Sequence, residues 1–232
     1  NVRTQKTRID KIGNKLSTLN ASGKGSNTVR YYDGADPDDI WAVRSAGIDP
    51  SNGKELFYAK DGSYTYDFSY DDEVVCGNTR PDVEGVIGSS LNWKGFSVSL
   101  NFRYQMGADV FNEALYNKVE NISRNDLNKN QDKRALYERW QEVGDIVHFK
   151  DIASAETTPM SSRFVQEENV LTLESIYVGY EFYDGWIKKI GLSSLKIQAS
   201  MRDVFRASTI RSERGIAYPF ARSMEAGFSF NF

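Results

Sequence analysis

One cysteine and one histidine stand in 232 residues. The single thiol, Cys76, cannot close a disulfide within the chain, and His148 alone is a poor basis for a histidine-based metal site. Long apolar runs are missing as well, which excludes a transmembrane helix of about 20 mostly apolar residues. Strands of a closed transmembrane barrel escape that exclusion, because they are half polar by construction. Charge of one sign is lacking: 29 Lys and Arg face 32 Asp and Glu, a net charge of -3, so no global field points to nucleic acid. Residues 1–6 lack the apolar core of a secretory signal, and the chain reads as a cut into a longer protein. Catalytic arrangements are absent too. No Ser/His/Asp set surrounds His148, no Cys/His pair forms near Cys76, and there is no Gly-rich phosphate loop. Metal and cofactor sites are therefore not expected. The acidic set Asp33, Asp36, Asp38 and Asp39 lacks EF-hand spacing and reads as a solvated loop.

Aromatic residues are plentiful, at 13% with 13 Tyr and 13 Phe, and alternation is the dominant pattern. Phe96, Val98, Leu100, Phe102 and Tyr104 oppose Ser97, Ser99, Asn101, Arg103 and Gln105. Period two puts successive side chains on opposite faces of a strand, and about ten residues suffice to cross a membrane at a tilt. Lys94-Gly95 joins this arm to 86–93 as a two-residue hairpin turn. Leu195, Ile197, Ala199 and Met201 alternate with Lys196, Gln198, Ser200 and Arg202. At the end, Met224, Ala226, Phe228, Phe230 and Phe232 share a face opposed by Ser229 and Asn231. A strand at 170–182 and strand–turn–strand segments over 38–70, with turns at 49–53 and Asp61-Gly62, bring the count to seven or eight.

Residues 1–32 read as a strand end followed by a loop or short helical turn. Residues 107–169 form a long polar excursion with a short helix expected at 132–140, and a further loop spans 206–219. Long loops beside tight turns fit an outer-membrane barrel. Alternation alone also fits a soluble β-sandwich, whose strands are half buried.

Several stretches together resemble the SusC/RagA family of TonB-linked outer-membrane transporters from Bacteroidetes. They are Ala46 to Gly53 with Asp61-Gly62, Gly77 to Pro81 with Gly85 and Trp93 to Phe96, and Arg139-Trp140 with Gly144-Asp145. Ser161 to Val165 leading into 171–180, Arg202 to Arg206, Glu213 to Gly215 and Tyr218 to Arg222 complete the series. Asp203 stands where many members carry Asn, which reads as a subgroup variant.

The resemblance implies an all-β fold: an antiparallel transmembrane β-barrel, of which residues 1–232 are the C-terminal part. The whole barrel would be large, ~22-stranded and plugged, with the plug outside this chain and a long extracellular loop at about 107–169. It further implies TonB-dependent import of an oligosaccharide or peptide, with a SusD-like surface lipoprotein as partner and TonB engaged through the missing N-terminal part. Phe228, Phe230 and Phe232 would face lipid and form a barrel-assembly signal, or simply make an apolar strand face. Tyr137, Trp140 and Phe149 would meet cargo or a lid protein, or pack the long loop onto the rim. Arg103, Lys196, Gln198 and Arg202 would face the lumen or the plug. A soluble or surface carbohydrate-binding β-domain is the alternative, and a barrel-embedded hydrolase a third reading. A sandwich would bury Phe96, Val98, Leu100, Ile197 and Phe230 under a second layer; a membrane wall would leave them uncovered.

Overall fold

The computed structural model describes residues 1–126, 128–154, 156–210 and 222–232. Eleven strands form among them: β1 (Val2–Arg3), β2 (Asp39–Val43), β3 (Ser45–Ile48), β4 (Glu55–Tyr58), β5 (Tyr64–Thr65), β6 (Glu73–Asn78), β7 (Val83–Trp93), β8 (Phe96–Phe111), β9 (Val165–Phe182), β10 (Ser194–Ser208) and β11 (Ser223–Asn231). A short helix, α1 (Ser17–Gly23), follows β1, as the spacing of apolar points in 1–32 suggests. The chain forms two compact units. One comprises Asn1–Thr4, Pro81–Gly107 and Glu168–Phe232; the other comprises Gln5–Arg80 and Ala108–Glu167.

The first unit is a single antiparallel sheet in the order β1-β7-β8-β9-β10-β11. Its register follows from the alternation. Lys94 and Gly95 both take positive φ, 47° and 86°, as a primed two-residue turn demands, so Trp93 pairs with Phe96 and Leu91 with Val98. A Cβ at Gly95 would meet the Glu181 carbonyl at 2.4 Å, a second reason for glycine there. Farther along, apolar partners stack in rows across three strands. Phe182, Leu195 and Phe230 form one row, Tyr180, Ile197 and Phe228 the next, and Ile176, Met201 and Met224 another. A bulge between Arg202 and Phe205 resets the β9–β10 register, with Asp203 at φ 52°. Among residues with a side chain, Asn and Asp tolerate that left-handed conformation best, which accounts for Asp203 at the bulge.

The second unit carries two small sheets, β2-β6 and β3-β4-β5, and the long segment between β8 and β9. The turn at 49–53 is made by its own side chains: Asp49 Oδ1 accepts the Ser51 amide at 2.8 Å, and Asn52 Oδ1 accepts that of Lys54 at 2.9 Å. Ile40, Ala42, Val43, Phe57 and Phe164 are buried here, and Val119, Ala135 and Phe149 form a further cluster.

Three expectations need revision. The helix expected at 132–140 is only a 3-10 turn, Lys133–Leu136, capped by Asp132. So short a segment offers too few helical hydrogen bonds to offset nucleation, and Glu138 adopts φ 57°, which turns the chain out of the helix. The long excursion is shorter than 107–169, because β8 runs on to Phe111 and β9 begins at Val165. The strand count is eleven among the described residues instead of seven or eight, since β6 was not legible, the strand end within 1–32 was not counted, and the first segment of 38–70 divides into β2 and β3. Most of the loop expected at 206–219, and the motifs Glu213 to Gly215 and Tyr218 to Arg222 apart from Arg222, lie outside the described residues.

Candidate functional site

On the sheet, the apolar face is uncovered within its unit. Ile87 is 59% exposed, Leu91 60% and Phe228 67%, and Phe96, Ile197, Phe230 and Phe232 are exposed as well; Val98 and Leu100 are half-buried. A sandwich layer would bury this set.

The opposite face is polar and internally bonded. Tyr177 Oη donates to Gln198 Oε1 at 3.0 Å, and Lys196 Nζ lies 5.8 Å from the Tyr177 ring centre. Gln198 pairs across the sheet with Gly179 and Gly227, so its amide lies between two positions without side chains. Asn101 donates to Ser175 Oγ at 3.0 Å, and Arg103 Nε to Glu174 Oε1 at 2.6 Å. Arg202 pairs in register with Ser175 and Ser223 and is exposed. Of the four candidate inward residues, Arg103, Lys196 and Gln198 thus already have partners on the sheet.

In the other unit, the three candidate loop rings part company. Phe149 is buried beside Val119 and Ala135. Trp140 donates from Nε1 to the Pro50 carbonyl at 3.1 Å and lies against Gly53, where a Cβ would meet the ring at 2.6 Å. Tyr137 alone is well exposed, at 64%. The acidic set is engaged: Asp36 and Asp38 pair with Arg80, Asp33 caps the amides of Ile12 and Asn14, and Asp39 accepts from Asn78. His148 is exposed, and Cys76 Sγ sits 3.4 Å from the Ala42 carbonyl, its thiol pushed up by burial.

The densest chemistry was not anticipated from the sequence. Arg163 Nη2 donates to Glu55 Oε2 at 2.8 Å and to Glu120 Oε1 at 2.7 Å, while Nη1 donates to the His148 carbonyl at 2.5 Å. Ser161 Oγ donates to the other Glu55 oxygen at 2.5 Å, and Thr158 Oγ1 to Glu120 at 2.8 Å. Burial pulls the Arg163 guanidinium towards losing its proton; the two carboxylates outweigh that and hold it above its usual range. Glu120 Oε2 and Arg163 Nε are buried without a hydrogen-bond partner among the described residues. Beside this triad lie Arg139 and Lys150, both held below their usual ranges first by burial, against the pull of Glu120. The only sequence signal was Arg163 itself, inside the stretch Ser161 to Val165.

No protein-family model matches the chain. Two TonB-dependent receptors of Formosa agariphila are each 24% identical to it, over 171 and 169 residues. These matches cover 72% and 73% of this chain but 16% of each relative, so the chain spans about a sixth of their length. Among solved structures, the RagAB peptide importer in its "open-open" state aligns with a TM-score of 0.71 at 20% identity, covering 89% of this chain and 24% of that one. The "closed-closed" state aligns at 0.64, over 78% and 21%. At such identity the structural likeness speaks for the fold. Motif order, sheet and relatives converge: the chain is similar in sequence to a segment of TonB-dependent receptors and shares the fold of the matched part of the RagAB importer.

Proposed function

We propose that the protein containing this chain resides in the bacterial outer membrane and imports a nutrient, an oligosaccharide or a peptide, with a SusD-like surface lipoprotein and energy delivered through TonB. This chain would close the barrel wall and supply extracellular loops, above all 112–164. The observation that carries the reading is the uncovered row of Ile87, Leu91, Phe96, Ile197, Phe228 and Phe230 on one face of a continuous sheet. Burying apolar surface of this kind in hydrocarbon stabilises by about 25 cal/mol per Å², and closed sheets are the β-structures that span lipid. The matched solved structures are named as a peptide importer, which supports the peptide alternative for cargo.

Deletion of the gene should abolish uptake of labelled peptides or oligosaccharides by intact cells, and the protein should fractionate with the outer membrane. Recovery of the full-length protein in the soluble fraction, monodisperse in plain buffer, would overturn the proposal and favour a carbohydrate-binding β-domain.

A further inference from the structure

Two turns meet at one end of the six-stranded sheet. Lys94-Gly95 joins β7 to β8, and Tyr183 to Ser193 joins β9 to β10. The Glu181 amide donates to the Gly95 carbonyl at 2.8 Å, which holds the two turns side by side. Within the longer one a single helical turn forms, α2 (Trp186–Lys189), pinned by the fully buried Ile187, so that Trp186 and Ile190 are left exposed. Trp186 meets Phe182 edge to face, with ring centres 6.1 Å apart, and Phe182 belongs to the row of Leu195 and Phe230. This indole therefore continues the apolar face. Trp93, in register with Phe96 and 64% exposed, ends the same face on the neighbouring turn. Indoles gather where hydrocarbon gives way to headgroups, because one end of the ring is apolar and the other donates a hydrogen bond.

Positive charge gathers at the same place. The two turns carry Lys94, Lys188 and Lys189 against Asp184 alone, a surplus of two. Asp184 binds Lys188 at 2.7 Å, while Lys94 Nζ lies 5.0 Å from the Trp93 ring centre and Lys189 is exposed. Among the described residues neither Lys94 nor Lys189 has a carboxylate at ion-pairing distance. Glu181, just outside the longer turn, stands in register with Lys196 on the polar face and accepts from the Tyr183 hydroxyl at 2.9 Å. A lysine beside lipid lays its stem along apolar surface and lifts its ammonium into the headgroup layer, where phosphate is the available anion.

We propose that the turns at 93–96 and 183–193 form a binding foot for an anionic phospholipid of the periplasmic leaflet, with Lys94 and Lys189 towards its phosphate and Trp93 and Trp186 against its glycerol and upper acyl chains. The leaflet follows from turn length: tight turns of outer-membrane barrels lie on the periplasmic side, and long connections such as 112–164 on the extracellular side. The inference rests on the membrane reading above and adds a lipid partner to it.

Native mass spectrometry of the purified full-length receptor tests this by reading which lipid is retained from equimolar phosphatidylglycerol and phosphatidylethanolamine, and from equimolar phosphatidylglycerol and lipid A. Phosphatidylglycerol should be retained about fivefold over phosphatidylethanolamine. The combined change Lys94→Gln, Lys188→Gln, Lys189→Gln should remove most of that preference. All three side chains are exposed, so the variant should stay folded and heat-modifiable. Lys60→Gln with Lys133→Gln, exposed lysines of the other unit, should leave the preference unchanged. Equal retention of the two phospholipids by the unmutated receptor overturns the inference, as does a preference that survives the triple change or falls equally in the control. Stronger retention of lipid A that the triple change abolishes also overturns it, because it assigns this end to the outer leaflet. Nutrient uptake and outer-membrane fractionation that persist in those cases leave the import reading standing, so the two failures are distinguishable.

Discussion

Replacing Arg163 by Met should open the loop unit selectively. The side chain is 9% exposed and holds two carboxylates whose side chains are 7% and 0% exposed. Breaking a buried ion pair from one side costs about 3–5 kcal/mol, most of it for the charge left behind, and here two are left. Taking only ~3 kcal/mol as the loss in local opening free energy raises the open population about 100-fold. Proteinase K digestion of the full-length receptor, with cuts mapped by mass spectrometry, reads that population when reclosing outruns cleavage. Cuts within 112–164 should accelerate about 100-fold while β7–β11 remain protected. The triple change Glu55→Gln, Glu120→Gln, Arg163→Met removes every charge of the triad and should recover most of the protection, because a neutral set no longer carries the desolvation cost. Burial opposes the raised Arg163 pKa and the carboxylates more than offset it. A raised pKa contributes stability that is complete below the unfolded value and is lost only as pH rises through the folded one. Protection owed to this residue should therefore be flat from about pH 6 to 9. Wild-type cleavage rates for Arg163→Met, or a triple variant more labile than the single one, would refute the reasoning.

Gly53→Ala should loosen the same unit at another point. At φ 70° a Cβ is strained and would meet the Trp140 ring at 2.6 Å, so left-handed strain and the lost bond to Pro50 together cost about 2 kcal/mol, visible as faster proteolysis near residue 140. Phe228→Arg should reduce heat-modifiable, folded protein in the outer membrane, while Ser229→Arg, on the opposite face of β11, should be tolerated. Equal effects of the two would count against a lipid-facing Phe228. Cys76, half-buried with its thiol pushed up, should react with maleimide at pH 7.5 at least tenfold more slowly than a free cysteine, and a fast reaction would contradict its packing against Ala42.

The wall was legible because its information is local. Alternation over Phe96–Gln105 sets the face, and Lys94-Gly95 sets the register, so neighbouring residues suffice to place Trp93 opposite Phe96. β6 escaped notice because Glu73 to Asn78 does not alternate in polarity, and it exists through its pairing with β2. The charged cluster escaped for the opposite reason. Arg163 finds its acids 43 and 108 residues away, a separation that no periodicity encodes. Trp140 and Phe149 carried a real signal, aromatic residues on a long loop, but composition cannot separate a ring that packs from one that is presented.

The two units obey inverted rules, and this accounts for where each keeps its polar groups. The wall leaves apolar rows such as Tyr180, Ile197 and Phe228 open on one face and bonds Tyr177 to Gln198 on the other, the arrangement that the proposed membrane setting, with hydrocarbon over the first face, would stabilise. The loop unit has no such outside solvent and must build its own interior from small clusters such as Val119, Ala135 and Phe149. A few apolar residues bury too little surface to fix a chain of this length. The Arg163 triad compensates by joining β4, the segment at Glu120 and the entry to β9 through directional bonds, which specify one arrangement even where their net contribution to stability is small. An ion cluster is therefore what this unit needs for a defined shape.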